Sequence, residues 1–294
     1  MNTRDLEYFM ALVEFRKYTR VAAAFSVSQP SVTQAIQRLE REFGVSLVEQ
    51  DRVHQQTIIT RAGRLLYKNA QHIQENLNLA HLEIEDAKQE KIKFGLPPII
   101  GTLYFPQIAG KLLQEGILQK TSVNETGSGK LLSDLRKGDI DIALLGSVRP
   151  INYDDVTAIH LGSRPFNIIA SPDNPISRKK QIAFSELKDE KFIGLDGKYV
   201  HPIAFKAFSE FAGISPETIY STPDIAWVKS LVEANLGISL IVKDVVNTDD
   251  RLVTIPVSDP VPERFNISIV IRKGYPLTEL EDQFINVMSE MQID

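Results

Sequence analysis

Residues 19 to 43, TRVAAAFSVSQPSVTQAIQRLEREF, leave few options: two short helices around a tight turn. Thr19 can cap the first, whose Val21, Ala22, Ala23 and Phe25 would pack inward, and Ser26-Val27 supply the turn. Ser28 can cap the second. Pro30 then falls in its first turn, where a missing N–H breaks no internal bond. Val32, Ala35, Ile36, Leu39 and Phe43 recur at helical spacing and define a core stripe. At about 100° per residue, Thr33, Gln34, Gln37, Arg38 and Arg41 fall on the opposite side. Such a face is either a solvated helix surface or a reader of base edges. Gln can bond adenine N6 and N7 and Arg guanine O6 and N7, each pair discriminating by about 1–3 kcal/mol.

Charge favours the second alternative. The chain carries a net charge of −5, but residues 1–64 hold nine Lys/Arg against seven Asp/Glu, and the remainder 24 against 31. Basicity is thus confined to the front, as expected if only that part meets phosphate. With 294 residues and 43% hydrophobic content, two or three domains with their own cores are expected. There is no cysteine, which excludes disulfides, thiolate metal sites and thiol redox sensing. No run of 18 apolar residues occurs and the N-terminus is unlike a signal peptide, so a cytoplasmic protein without membrane contact is expected.

Along the chain, Thr3 can cap a first helix presenting Leu6, Phe9, Met10 and Val13. After Gly44, β-prone Leu47-Val48 and Thr57 to Ile59 flank a polar stretch from Asp51 to Gln56, which predicts a hairpin wing. Arg52, His54 and Gln55 at its tip are candidates for phosphate or sugar contact. Thr60 caps the next helix, in which Leu66, Ala70, Ile73, Leu77, Ala80, Ile84 and Ala87 recur at steps of 4 and 3. A helix of roughly 35–40 Å at this polarity needs a partner. That seam predicts a dimer, which would bring two reading helices to half-sites about one turn of DNA apart. The remainder alternates strands (IKFGL, SVNE, DIALLG, FNIIAS, KFIGL, GISLIV, LVTIP, ISIVIR) with helices, the pattern of parallel α/β sheets. Two small lobes with a ligand cleft between them fit its length better than one.

The chain resembles the LysR-type transcriptional regulators from end to end. The resemblance is carried by Leu6-Glu7-Tyr8-Phe9, Thr19, Ala22-Ala23, Ser28-Gln29-Pro30-Ser31-Val32, Ile36, Leu39-Glu40, Gly44-Val45, Leu47 and Thr60 with Ala62-Gly63. Gly138 to Ala143 and Leu231-Val232 through Leu236-Gly237-Ile238 resemble two effector-domain segments of the family. It implies an α/β protein with an N-terminal winged helix–turn–helix over residues 1–65 and a linker dimerisation helix over 66–90. A two-lobed effector domain similar to periplasmic solute-binding proteins would follow, with residues 91–164 and 266–294 in the first lobe and 165–265 in the second. The chain would cross between lobes near Arg164 and near Phe265. Gln29, Pro30, Ser31, Thr33 and Gln34 match the DNA-contacting start of the family's recognition helix. Implied partners are double-stranded promoter DNA carrying an interrupted dyad, a small-molecule effector and further copies of the chain as a homodimer or homotetramer. RNA polymerase is a candidate partner. Two departures stand out: the wing is about two residues longer than the common pattern and lacks the usual basic residue at Gln50, and Val242 replaces a frequent proline.

By the same resemblance, effector-binding candidates are Ile100, Gly101, Thr102, Thr126, Gly127, Ser128, Ser147, Tyr199, His201 and Trp227. A helix beginning near Gly101-Thr102 would offer unpaired N–H groups to an anion. A small carboxylate is therefore the expected effector, with His201 or Arg149 as charge partner. Plainer alternatives exist: Thr102 as a helix cap, residues 126–129 as a turn, His201 as a structural histidine and Trp227 as a packing residue. A further resemblance to regulators of malolactic genes around Asp51 to Thr60 makes malate a candidate.

Catalysis is not expected. Gly127-Ser128-Gly129-Lys130-Leu131 lacks the earlier glycine and the Ser/Thr of a phosphate loop, no GxSxG elbow exists, and the five histidines show no zinc spacing. No metal or cofactor is implied. The rival from another class is a ligand-independent DNA-binding repressor whose α/β part serves oligomerisation only.

Overall fold

The computed structural model describes residues 2–51, 56–86, 90–196 and 200–293. The chain divides into two compact units, Met1–Lys88 and Gln89–Asp294. The first contains α1 (Thr3–Phe15), α2 (Tyr18–Ala24), α3 (Gln29–Phe43), β1 (Val48–Asp51), β2 (Gln56–Ile59) and α4 (Arg61–Asp86). Its core gathers Leu6, Phe9 and Leu12 of α1, Val21 of α2 and Val32, Ala35, Ile36 and Leu39 of α3. Fully burying each of the larger side chains contributes about 1.5–3 kcal/mol. β1 and β2 pair antiparallel as the wing, with Val48 opposite Ile59.

Local chemistry sets the element ends, not always at the expected residue. Asn2 rather than Thr3 caps α1, accepting a bond from the Arg4 amide, because the helix already includes Thr3. α2 begins at Tyr18 with no side-chain cap, so Thr19 lies inside it. Ser26 in the turn adopts φ +54°, and Ser28 caps α3 by accepting from the Ser31 amide. Ala23 and Phe43 depart from the expected stripe and are exposed. Thr60 caps α4 by accepting from the Gly63 amide while donating to the Ser46 carbonyl. Gly63 is required there: an added Cβ would sit 2.3 Å from the Leu47 carbonyl oxygen.

α4 extends the expected heptad seam, but the seam has two environments. Ala70 is buried and Leu66 and Ile73 pack against the core of this unit, whereas Leu77 is half-buried and Ala80 and Ile84 are exposed. Ala87 lies outside the described residues.

The second unit runs β3 (Ile92–Leu96), α5 (Pro98–Leu103), α6 (Pro106–Gln114), β4 (Thr121–Glu125), α7 (Ser128–Lys137), β5 (Ile142–Ser147) and β6 (Val156–Arg164). Then come β7 (Phe166–Ala170), β8 (Phe192–Leu195), α8 (His201–Ala212), β9 (Thr218–Thr222), α9 (Ile225–Glu233), β10 (Ser239–Val242), β11 (Val253–Pro256), β12 (Phe265–Arg272) and α10 (Glu279–Met288). One lobe is built on a five-stranded sheet ordered β4-β3-β5-β12-β6. The other carries a three-stranded sheet, β10-β7-β11, and the pair β8-β9.

The sheets are mixed rather than parallel throughout. β3 is parallel to β4 and β5, and β8 to β9, but β12 runs antiparallel to β5 and β6, and β7 antiparallel to β10 and β11. The reason is the return of the chain: β12 re-enters the first sheet from the second lobe against the direction of β5. β6 ends at Arg164, directly opposite Phe265 at the start of β12, so the two crossovers lie side by side. Phe94 and Phe284 pack edge to face at 4.9 Å between the five-stranded sheet and α10.

Candidate nucleic-acid interface and effector cleft

The outer face of α3 is wet and only partly committed. Gln34 and Gln37 are exposed, and their side-chain amides have no hydrogen-bond partner among the described residues. Gln29 and Thr33 engage each other: the Gln29 amide donates to the Thr33 hydroxyl at 3.3 Å, and that hydroxyl donates to the Gln29 carbonyl at 3.2 Å. Ser31 shares a bond with the Ser28 hydroxyl at 2.8 Å, and Pro30 occupies the first turn without a cost in hydrogen bonds.

The two arginines differ. Arg41 reaches back to the Gln37 carbonyl at 3.3 Å but is otherwise exposed. Arg38 is exposed too, but it is tied to α1: Nε and Nη2 bond the two carboxylate oxygens of buried Asp5 at 2.9 and 2.5 Å. A fork fixed in this way positions α3 against α1, and it cannot simultaneously present the same two donors to a guanine. Sequence reading missed this because Asp5 sits in the first turn of α1, where an acidic residue is ordinarily a response to the helix dipole. Arg52 and His54 lie outside the described residues.

In the second unit the carboxyl ends of parallel strands from both lobes converge, the usual place for a ligand in α/β sheets. Pro98 and Ile99 of α5, Glu125 at the end of β4, Leu195 at the end of β8, and Pro223, Asp224 and Ile225 after β9 line a cavity of about 300 Å³. Asp224 and Ile225 fall in the loop Asp224 to Trp227 that the family resemblance implies for the cleft, whereas Glu125, Leu195 and Pro223 were not singled out from sequence. The signal for Pro223 was weak because β9, TIYST, lacks a buried apolar face.

Several expected cleft groups sit elsewhere. α5 begins at Pro98, not near Gly101, and the Gly101 amide bonds the Pro97 carbonyl at 2.9 Å, so Gly101-Thr102 is no free helix start. The amino terminus there is formed by two prolines, which have no N–H to give. Ile100 points into the core with no exposure. Thr102 is exposed and Thr126 half-buried. Gly127 precedes α7, whose first turn has no capping side chain. The Ser128 hydroxyl accepts from the Gly146 amide at 3.0 Å, and that of Ser147 donates to the Arg149 carbonyl at 2.6 Å. Trp227 is 57% exposed on α9. Tyr199 lies outside the described residues.

Neither expected charge partner is available as such. Arg149 is paired with Glu263 at 2.7 Å. His201 is buried between Phe166 and Phe265, ring centroids 5.5 and 5.7 Å away, and neither nitrogen has a hydrogen-bond partner among the described residues. Burial pushes its imidazole down to about 3, so it is neutral at physiological pH. Among the described residues no cluster of three metal-ligating side chains occurs, and no helix is long and apolar enough to cross a membrane.

Two family models divide the chain between them. Residues 3–64 match the bacterial regulatory helix-turn-helix protein, lysR family, and residues 85–292 match the LysR substrate binding domain. The chain belongs to the LysR family. It is 32% identical over 293 residues to the malolactic fermentation system transcriptional activator of Lactococcus lactis subsp. lactis (strain IL1403), covering 99% of both chains. It is 28% identical over 292 residues to the DNA-binding transcriptional dual regulator OxyR of Escherichia coli (strain K12), covering 96% of this chain and 93% of that one. Solved structures share the fold: Corynebacterium glutamicum OxyR C206 mutant at TM-score 0.57, with 23% identity and 98% and 92% coverage. Full-length BenM gives TM-score 0.56, with 21% identity and 98% and 95% coverage. The protein is thus a LysR-type transcriptional regulator with a helix-turn-helix domain and a two-lobed effector-binding domain. Its relatives are regulators, not enzymes.

Proposed function

We propose that this regulator reads promoter DNA with the exposed face of α3 and changes state when a small hydroxycarboxylic acid, malate first among them, enters the cleft between its lobes. The reading divides the chain at residues 65 and 90, with α4 pairing two copies into a homodimer or homotetramer and RNA polymerase as a partner at the promoter. On α3, Gln34, Gln37 and Arg41 reach base edges, Gln29, Pro30, Ser31 and Thr33 set the approach to phosphate, and Arg38 positions the helix through Asp5. Arg52 and His54 of the wing contact the DNA backbone.

The observation that carries the effector reading is the uncapped start of α7 at the end of β4. The Lys130 and Leu131 amides already bond the Gly127 carbonyl, which leaves those of Ser128 and Gly129 to attract a carboxylate, while the Ser128 hydroxyl is held there by the Gly146 amide. This replaces the anion site expected at Gly101-Thr102. Glu125 and Asp224 line the cavity at the carboxyl end of β4 and favour a ligand that also carries a hydrogen-bond donor, as malate does in its hydroxyl. A relative named for a malolactic system, 32% identical along the whole chain, supports the choice. Other relatives are named as hydrogen peroxide-inducible genes activators, but this chain has no cysteine and so no thiol with which to sense an oxidant.

Calorimetric titration with malate and with succinate, which lacks the hydroxyl, is the test. Malate should bind about 10–100-fold more tightly, the worth of one hydrogen bond to a charged group. No response to any organic acid together with saturation by a neutral ligand would refute the reading. If no metabolite bound at all, the ligand-independent repressor would replace it.

A further inference from the structure

Tyr104, Arg164 and Asp244 join the two lobes beside the crossovers. Asp244 lies in a short 3-10 turn, Lys243–Val245, that follows β10 in the second lobe. Its carboxylate takes a forked pair from Arg164, Nε to Oδ2 at 2.5 Å and Nη2 to Oδ1 at 2.6 Å, and Arg164 is the last residue of β6 in the first lobe's sheet. The Tyr104 hydroxyl donates to the same Oδ2 at 2.7 Å. Tyr104 ends α5, its amide bonded to the Ile100 carbonyl, and α5 is the helix whose other end, Pro98 and Ile99, borders the cleft. The turn is further tied to the crossover by the Lys243 amide, which donates to the Pro165 carbonyl at 3.1 Å.

We infer that Asp244, held by Arg164 and Tyr104, is a latch that sets the angle between the lobes and transmits movement of α5 to the second lobe. Three features support it. The acceptor is on one lobe and both donors are on the other, so rotation of one lobe on the other must break bonds. The geometry is bidentate and therefore directional, unlike a simple charge pair. The group is three-quarters or more buried, with Arg164 and Asp244 side chains 18% and 21% exposed, so water competes poorly for it. Burial works against the Asp244 carboxylate, but the bonds from Arg164 and Tyr104 outweigh it and hold that carboxyl below its ordinary range. Burial, and then the neighbouring Asp244, raise the Tyr104 phenol. The network therefore keeps one protonation state around neutral pH and acts through geometry.

The absence of native cysteine allows a direct test in the full chain. Spin labels at Lys137→Cys in one lobe and Lys180→Cys in the other, in labelled chain diluted with unlabelled chain, report the intrachain lobe-to-lobe distance by pulsed electron resonance. Measured without ligand, Asp244→Asn should displace or broaden the distribution beyond its wild-type width, and Tyr104→Phe should do so to a smaller extent. Melting temperature is followed in parallel. Lowered melting with an unchanged distance distribution in both variants would make the cluster merely structural and overturn the inference. If Asp244→Asn does not fold, Tyr104→Phe decides alone, since it removes one hydroxyl and no packing volume. No effector enters this measurement, so failure of the malate reading and failure of the latch are separately visible.

Discussion

At the scale of single residues, His201 shows how a polar side chain can be legible as unusual while its charge state depends on surroundings that only the fold supplies. From sequence it stood beside expected cleft residues and offered a cation; the structure buries it against Phe166 and Phe265 with both nitrogens unpartnered among the described residues. The depressed folded pKa, about 3 against 6.5, means the unfolded chain binds the proton more readily. The sign follows: the stability associated with neutral His201 is intact above about pH 6.5 and falls by about 1.4 kcal/mol per pH unit as pH drops below it. His201→Phe, which keeps an aromatic ring in an aromatic site, should flatten that acid dependence in denaturant titrations between pH 6.5 and 5. An unchanged slope would show that another group dominates there. Arg38 lies on the outer face as helical periodicity says, but periodicity cannot say that Asp5, 33 residues away in sequence, engages two of its donors.

Among elements, periodic signals were readable and aperiodic ones were not. α3 and α4 announce themselves by apolar spacing, Ser28 by its position before Pro30, and Gly63 by a backbone approach that only glycine tolerates. β6 and β9 were overlooked because neither strand has a continuous buried face: β6 is largely half-buried or exposed, and only Thr222 is buried in β9. The antiparallel return of β12 was likewise hidden, since strand direction depends on where the chain comes back from and not on composition. For α4, the division of its seam into a packed and an open part makes a sharper test of dimerisation. Ile73 packs against the unit's own core, so the pair that tests the open part alone is Leu77→Lys with Ile84→Lys. Sedimentation of that variant should give half the wild-type mass with the melting of the helix-turn-helix unit unchanged. A wild-type mass would assign the open seam some other role.

The whole molecule joins two chemistries of opposite charge: residues 1–64 with a small positive balance and the remainder with a negative one. Binding to DNA should be anchored by phosphate contact and informed by Gln34 and Gln37, while the cleft and its neighbouring latch set how the two lobes stand. The central claim is that the outer face of α3 reads sequence rather than serving as solvated surface. Equilibrium binding of the wild type and of Gln34→Ala to the duplex upstream of its own gene and to random duplex, at matched salt, tests it most directly. The account predicts a loss of about 1–3 kcal/mol on the specific site with little change on random DNA. Equal losses on both duplexes, or none on either, would contradict it.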